Sequence, residues 1–237
     1  MASAKDIEVR VIPSKIANPF VRKHHYSGKS VNNSQLHLGA FLNGRLHGVM
    51  SFGPPMDKSK VLYLVEGTPW SGMLELNRMA FDDVLPKNSE SRCISIAMGM
   101  LKKNAPQVKW VLSFADGCSC GDGTIYRASN FVLTGIKPNK TTAILPDGTE
   151  ITDLAFRVNR AVKRPELGGK SAQEFFGSSN PSFDQYLQYV GGKRAEGYQL
   201  RYIYFLDKKW RKRLTVPELP YSKIKEMGAG MYKGEKR

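Results

Sequence analysis

The sequence predicts an α+β fold, a mixed sheet with helices on its faces, and three observations carry that prediction. Apolar residues alternate in short runs of strand length, two longer stripes repeat at helical spacing, and the order is β-α-β-β-β-β-α-β-α-β. Residues 7–12, IEVRVI, alternate as a strand. Ser14 to His25 carries a helical pattern through Ile16, Phe20, Val21 and His24, ending at the polar cluster SGKS. Leu36–Leu42 and Leu46–Gly53 flank an Asn-Gly pair, the dipeptide of a tight hairpin turn. VLYLV (61–65) and MLELNRMAF (73–81) read as two further strands. Pro86 precedes Asn88-Ser89-Glu90-Ser91, a helix start in which Asn88 or Ser89 can cap and Glu90 complements the positive helix end. Ile94, Ala97, Met98 and Leu101 form the apolar stripe of that helix. KWVLSF is an apolar strand opening into the loop ADGCSCGDG, and TIYRASNF is a short helix running into FVLTGI. A hairpin about Asp147-Gly148, a Gly-, Ser- and Pro-rich stretch and the strand GYQLRYIYFLD follow. The expected organisation is one domain over 1–206, with an irregular, flexible insertion at about 164–197, and a basic tail over 207–237.

A chain of 237 residues with 41% hydrophobic content can bury a real core. No run reaches the roughly 18 apolar residues of a membrane span. The start, MASAKDIEVRVIPSK, lacks the apolar region of a secretory signal, so a cytoplasmic protein with no membrane partner is expected. Cys93, Cys118 and Cys120 are too few for a disulfide framework and fit a reducing compartment. The Cys118/Cys120 pair lacks the second CxxC or HxxxH of a zinc site, so a metal loop and a plain turn both remain open there.

Charge is the strongest global signal. Thirty-six Lys and Arg against 21 Asp and Glu leave +15, and 13 basic against 5 acidic residues fall between Lys193 and Arg237. The run DKKWRKRL interleaves cations with an aromatic. Lys208, Lys209, Arg211, Lys212 and Arg213 are therefore expected to contact a nucleic-acid backbone, with a solvated basic face as the alternative. In mixed sheets, sites gather beyond the carboxyl ends of strands and beside helix starts. That places residues 81–92 and 113–126 at one edge.

ELNRMAF, NSESRCISIAMGMLKK and TIYRASNFV resemble the central strand, the pyrophosphate-binding helix and the Tyr-bearing helix of the GNAT acyltransferase superfamily. FVRKHHYS, NSQLHLGAF, FGPPMDK, GTPWSGMLELNRM, NSESR, CGDGTIYRASNFVLT and GYQLRYIYFLD more specifically resemble the Mom family of phage DNA-modification proteins. The resemblance spans most of the chain. It implies a GNAT-like catalytic domain that converts adenine in double-stranded DNA to N6-carbamoylmethyladenine, protecting phage DNA from restriction in the cytoplasm of the infected host. It also implies acetyl-CoA and iron as cofactors, and Tyr126 as the acid that protonates a leaving group. One departure matters. GNAT members place glycines before the helix so that backbone N–H groups can hold a pyrophosphate, whereas this chain has KNSESR, with Glu90 in the first turn. Acetyl transfer would also leave out the nitrogen of a carbamoylmethyl group, while a glycyl group is its isomer. Glycyl-tRNA is therefore the favoured donor, and acetyl-CoA the alternative.

Adenine N6 is a weak nucleophile, so the base must leave the stack, lose a proton and meet donors for an oxyanion. Glu90 and Asp116 are candidate carboxylates for proton transfer or for holding the donor's amine. Each has a bland alternative, Glu90 balancing the helix dipole and Asp116 capping the loop. His25 is a candidate base and Tyr26 a stacking surface for a flipped adenine; whichever of His24 and His25 faces the apolar stripe is structural. Ser113 either donates to the reacting group or terminates the sheet. Asn88, Ser89, Ser91, Arg92, Asp122 and Arg127 are donor-binding candidates, the arginines pairing otherwise with Glu90 and Asp122 as scaffold. Trp70 is either a core lid or a stacking platform. His25, Asp116 and Cys120 could converge on iron, but nothing in their spacing demands it, and no metal ligand is assigned. Two other functions compete: a CoA-dependent acetyltransferase and a non-enzymatic DNA-binding protein. A dimer is compatible with the sequence, which does not select an oligomeric state.

Overall fold

The structure, a computed structural model, describes residues 3–232, 235 and 236. In chain order it runs β1 (Glu8–Val11), α1 (Ser14–His24), β2 (Leu36–Leu42), β3 (Arg45–Gly53), α2 (Ser59–Leu62), β4 (Met73–Phe81), α3 (Ser89–Asn104) and β5 (Trp110–Asp116). It continues with α4 (Thr124–Ala128), β6 (Val132–Pro138), β7 (Thr142–Ile144), β8 (Glu150–Thr152), α5 (Asp153–Val158), β9 (Lys163–Arg164) and β10 (Lys170–Ser171). α6 (Ala172–Phe176), α7 (Phe183–Val190), β11 (Lys193–Arg194), β12 (Tyr198–Phe205) and α8 (Ser222–Glu226) follow. Two compact units emerge: Met1–Ile136 with Leu200–Arg237, and Lys137–Gln199.

The main sheet is mixed, in the order β1-β2-β3-β4-β5-β12-β6. Its hairpin turns where the Asn-Gly pair predicts, with Asn43 and Gly44 at φ 50 and 76, the left-handed pair of a type I′ turn. α1 buries Ala17 and Val21 against Ile12, Val49 and Ala80. α3 buries the whole predicted stripe together with Cys93. Asn88 does precede α3, but in a left-handed conformation without a side-chain cap. The serines instead turn back, Ser89 Oγ donating to the Pro86 carbonyl at 2.5 Å and Ser91 Oγ to the Asn88 carbonyl at 3.1 Å.

VLYLV is not a strand. Val61 and Leu62 complete α2, and Leu64 and Val65 turn into a cluster with Met73, Trp110, Leu112 and Ile203. Five apolar residues fit a buried turn as well as a strand, and here tertiary burial decides between them.

Two irregularities of β4 create the site. The parallel ladder with β5 joins Met73 to Trp110, Leu74 to Val111 and Glu75 to Leu112, then stops. Both strands run on, β4 to Phe81 and β5 to Asp116, so their carboxyl ends splay apart. The β3–β4 register also slips by one residue, Ser51 facing Arg78 while Phe52 faces Leu76. Asn77 is the extra residue of this bulge. In a regular strand Glu75 and Arg78, three apart, would point to opposite faces; the bulge turns them to the same one.

The second unit has its own core of Ala143, Ile151, Phe156, Leu167, Ala172, Phe183, Tyr186 and Leu187, beneath the small sheet β11-β7-β8 and helices α5 to α7. The sequence suggested a flexible stretch over 164–197; the structure has a folded unit over 137–199. The Ser and Gly residues that looked like linker are helix ends. Ser171 forms a capping box with Glu174, Ser182 caps α7, and Gly177 and Gly191 close their helices at φ 61 and 73. The segment after 207, expected as a tail, runs along the first unit instead. Its Thr215 N–H donates to Leu64 O at 3.0 Å, Leu219 N–H to Leu133 O at 2.8 Å, and Trp210 packs against the Leu64–Ile203 cluster.

Candidate active site

Glu75, the last β4 residue paired with β5, stands at the start of the splay. Burial pushes its carboxyl up to about 7, with the Asn77 side chain and the Arg78 guanidinium pulling it partly back. Arg78 is held by donation from Nε to Lys29 O at 3.0 Å and from Nη1 to Asn77 O at 2.7 Å. Asn77 accepts from Ser34 Oγ at 3.1 Å. Gly53, opposite Glu75, permits this closure: a Cβ there would lie 2.3 Å from Asn33 O and 2.8 Å from Asn77 Oδ1. Sequence reasoning passed over Glu75. The available signal was an Glu-Leu-Asn-Arg run inside an otherwise apolar strand, where charge is costly unless used.

Across the splay, Tyr126 is 7% exposed and packs against Phe131 and Tyr202, ring centroids 5.2 and 5.3 Å away. Burial pushes its phenol up to about 12, and Glu75 is among the charges it senses. Neighbouring Ser113 Oγ is fully buried and lies close enough to the Tyr126 phenol to pull its pKa partly back. Gly123 starts α4 at φ 79, and a Cβ there would strike the Tyr202 ring at 2.4 Å.

Tyr26 completes the cluster. Its residue surface is 51% exposed, yet burial, then the charges of Asp116 and Cys120, raise the phenol's pKa. The phenol thus senses the charges of the cluster while about half of the residue's surface remains open. His25 stacks beside it, ring centroids 4.2 Å apart, and its Nδ1 accepts from Ser27 N–H at 3.1 Å. Burial, then Arg78, lowers its pKa to about 4, so the imidazole is neutral at pH 7 with its proton on Nε2. His24 stacks on Phe20 at 4.3 Å and is the structural member of the pair. Asp116 caps the loop, Oδ1 accepting from Cys118 N–H at 2.9 Å, and its charge still reaches Tyr26 and Cys120.

The other expected residues fall elsewhere. Glu90 acts on Cys93, whose thiol burial pushes up to about 12, and is not among the principal charges at Glu75, Tyr26 or Tyr126. Asn88, Ser91 and Arg92 line a separate cleft of about 390 Å³ with Ser95, Ser129 and Asn130. Ser89 is wholly buried and structural. Asp122 accepts from Thr124 N–H at 3.2 Å and Oγ1 at 2.8 Å, and Arg127 lies 3.7 Å from Asp122, so both serve α4 as scaffold. Arg211 is bidentate to Glu218 at 2.6 and 2.5 Å, and Arg213 lies over Trp210 at 4.5 Å; Lys208, Lys209 and Lys212 are exposed.

A resident iron does not fit these residues. Among those described, no three of His, Cys, Asp and Glu converge.

The arrangement is a desolvated acid–base cluster: one carboxyl near neutrality, two neutral phenols, a neutral imidazole and one guanidinium. Comparison with known proteins gives it a setting. A methylcarbamoylase, Mom, of Escherichia phage Mu is 35% identical over 216 residues, covering 90% of this chain and 81% of the relative. Among solved structures, an N-acetyltransferase from Staphylococcus aureus covers 84% of this chain and 98% of its own at 8% identity, TM-score 0.45. A Bacillus subtilis acetyltransferase in complex with CoA covers 84% and 97% at 10% identity, TM-score 0.42. The pattern that defines the Mom protein family matches residues 6–223, and with the phage relative it establishes that this chain belongs to that family.

Proposed function

We propose that this protein is a transferase that modifies adenine N6 in double-stranded DNA, carrying it to N6-carbamoylmethyladenine. Family membership supports the reading, since the phage Mu relative is named a methylcarbamoylase. One observation carries the chemistry: Glu75, its carboxyl raised to about 7, lies among groups held neutral by burial. A base works best when its pKa is near the working pH. Glu75 takes the N6 proton as nitrogen attacks the donor carbonyl. Arg78 stabilises the oxyanion, and Tyr126, oriented by the Ser113 hydroxyl, protonates the leaving oxygen. The open surface of Tyr26 receives the extruded purine.

A glycyl ester balances the atoms of the product. N6 attacks the ester carbonyl and displaces the alcohol, giving an N6-glycyl amide. The glycyl amine then adds to C6 and the C6–N6 bond breaks. The old N6 becomes the terminal amide nitrogen of a carbamoylmethyl group now attached through the glycyl nitrogen. Acetyl-CoA supplies no such nitrogen. In this reading the cleft beside Arg92 takes the phosphate-bearing end of glycyl-tRNA. A substituent on N6 would also deny restriction enzymes a major-groove donor, which is how modification would protect phage DNA.

Mass spectrometry of nucleosides from plasmid DNA, after expression in bacteria fed nitrogen-labelled glycine, tests both layers. Labelled carbamoylmethyladenine is expected. Wholly unmodified adenine would end the reading, whereas modified but unlabelled adenine would reject only the glycyl donor.

A further inference from the structure

The β3–β4 connection presents two residues that the proposed reaction leaves unused. Trp70 is 65% exposed, so it is no core lid. It sits in a tight turn closed by Gly72 N–H donating to Pro69 O at 2.8 Å, and a Cβ on Gly72 would meet Pro69 Cδ at 2.7 Å. The turn is moored to the core, because the fully buried Trp110 donates from Nε1 to Thr68 Oγ1 at 3.0 Å. The indole is therefore displayed on a rigid support, and little entropy is lost when something stacks on it.

Lys58 lies over this indole, Nζ 5.0 Å from the ring centroid. It is only 8% exposed, and its ammonium makes no ion pair or hydrogen bond among the described residues. Burial lowers its pKa with no carboxylate offsetting the effect. The stem of Lys58 is buried, and an ammonium with no carboxylate partner is available to a bound anion. One indole face is occupied by the lysine and ring surface remains exposed. Trp70 lies five residues before Glu75, a span of at most about 18 Å for extended chain.

The structure assigns Lys58 and Trp70 to a subsite for one unpaired nucleotide, the phosphate meeting the Lys58 ammonium and the base stacking on Trp70. The subsite rests on the proposed DNA reading only for its source, which would be the nucleotide beside the extruded adenine. An unpaired donor RNA end has the same chemistry.

Single-stranded DNA and RNA octamers of one sequence, titrated into the full chain while indole emission is followed, test the assignment. Trp110 is buried and Trp210 only partly buried in the basic segment, so the quenching due to Trp70 is the part lost in Trp70→Ala, and the affinities of all variants are read from the anisotropy of a fluorophore on the octamer. Quenching is expected with the wild type, and Trp70→Ala and Lys58→Met should each weaken binding about tenfold, the scale of one stacked base. Lys58→Arg should restore most of it. Tighter DNA binding assigns the subsite to the target strand, and tighter RNA binding to a donor. Affinity unchanged in Trp70→Ala, or lost in Lys58→Met alone, overturns the proposal. None of these outcomes depends on turnover, so the subsite can fail while DNA modification stands.

Discussion

The segment Lys208–Arg213 carries five cations in six residues, all exposed, while the β4/β5 splay carries Arg78, Glu75 and Asp116 amid neutral rings. In the first, charges are numerous and satisfied by water, by Glu218 or by the Trp210 ring. In the second they are few, and removal from water perturbs Glu75, His25 and both tyrosines. Number of charges marks where a polyanion can rest; desolvation marks where a proton can move.

The largest expected effect breaks this contrast at the splay. Glu75→Gln keeps the shape and removes the base, so modification should fall by about 10²–10⁴-fold, read by nucleoside mass spectrometry. A variant that modifies DNA normally would hand the role to another group. Next comes Gly123→Ala, which forces a side chain onto Tyr202 at φ 79. It should cost roughly 2–4 kcal/mol in urea unfolding and release Tyr126 from its packing.

The pH dependence of stability sharpens the comparison further. Glu75 has a folded pKa of about 7 against an ordinary value of 4.5, so the folded state binds its proton more tightly. Its contribution is greatest below pH 4.5 and is lost as pH rises through 7. Glu75→Gln should therefore gain stability relative to the wild type between pH 5 and 8, on the order of 2 kcal/mol after allowance for solvent screening. Denaturant melts showing a pH-independent difference would contradict this. The smallest effect belongs to the basic segment. Replacing Lys208, Lys209 and Lys212 together by Ala should lower the salt slope of DNA binding by up to about 3 and leave turnover at saturating DNA unchanged. A loss of turnover would mean that the two regions are not separate in function.

Where local chemistry suffices, the sequence was readable. Asn43-Gly44 made its turn, and Ile94, Ala97, Met98 and Leu101 made a buried stripe. Tyr126, Ser113, Asp116, His25 and Tyr26 were all visible as candidates, and the structure gathers them around the splay. Glu90 drew attention because it began a helix, an electrostatic feature that sequence displays plainly. Glu75 escaped because strand periodicity assigns its neighbour Arg78 to the other face, and only the Asn77 bulge reverses that. VLYLV and the Gly-rich stretch were misread for a related reason: a short apolar run and a helix-ending glycine look the same whether or not a core lies beside them.

By itself the sequence determined most strands of the main sheet, the helix stripes, the hairpin turn, the basic excess and the resemblance that names the family, since all of these reside in neighbouring residues or in composition. The tertiary structure alone decided which carboxyl holds a proton near neutrality. That depends on a one-residue slip between two strands and on how much water packing removes, and neither quantity is written in any local stretch of chain.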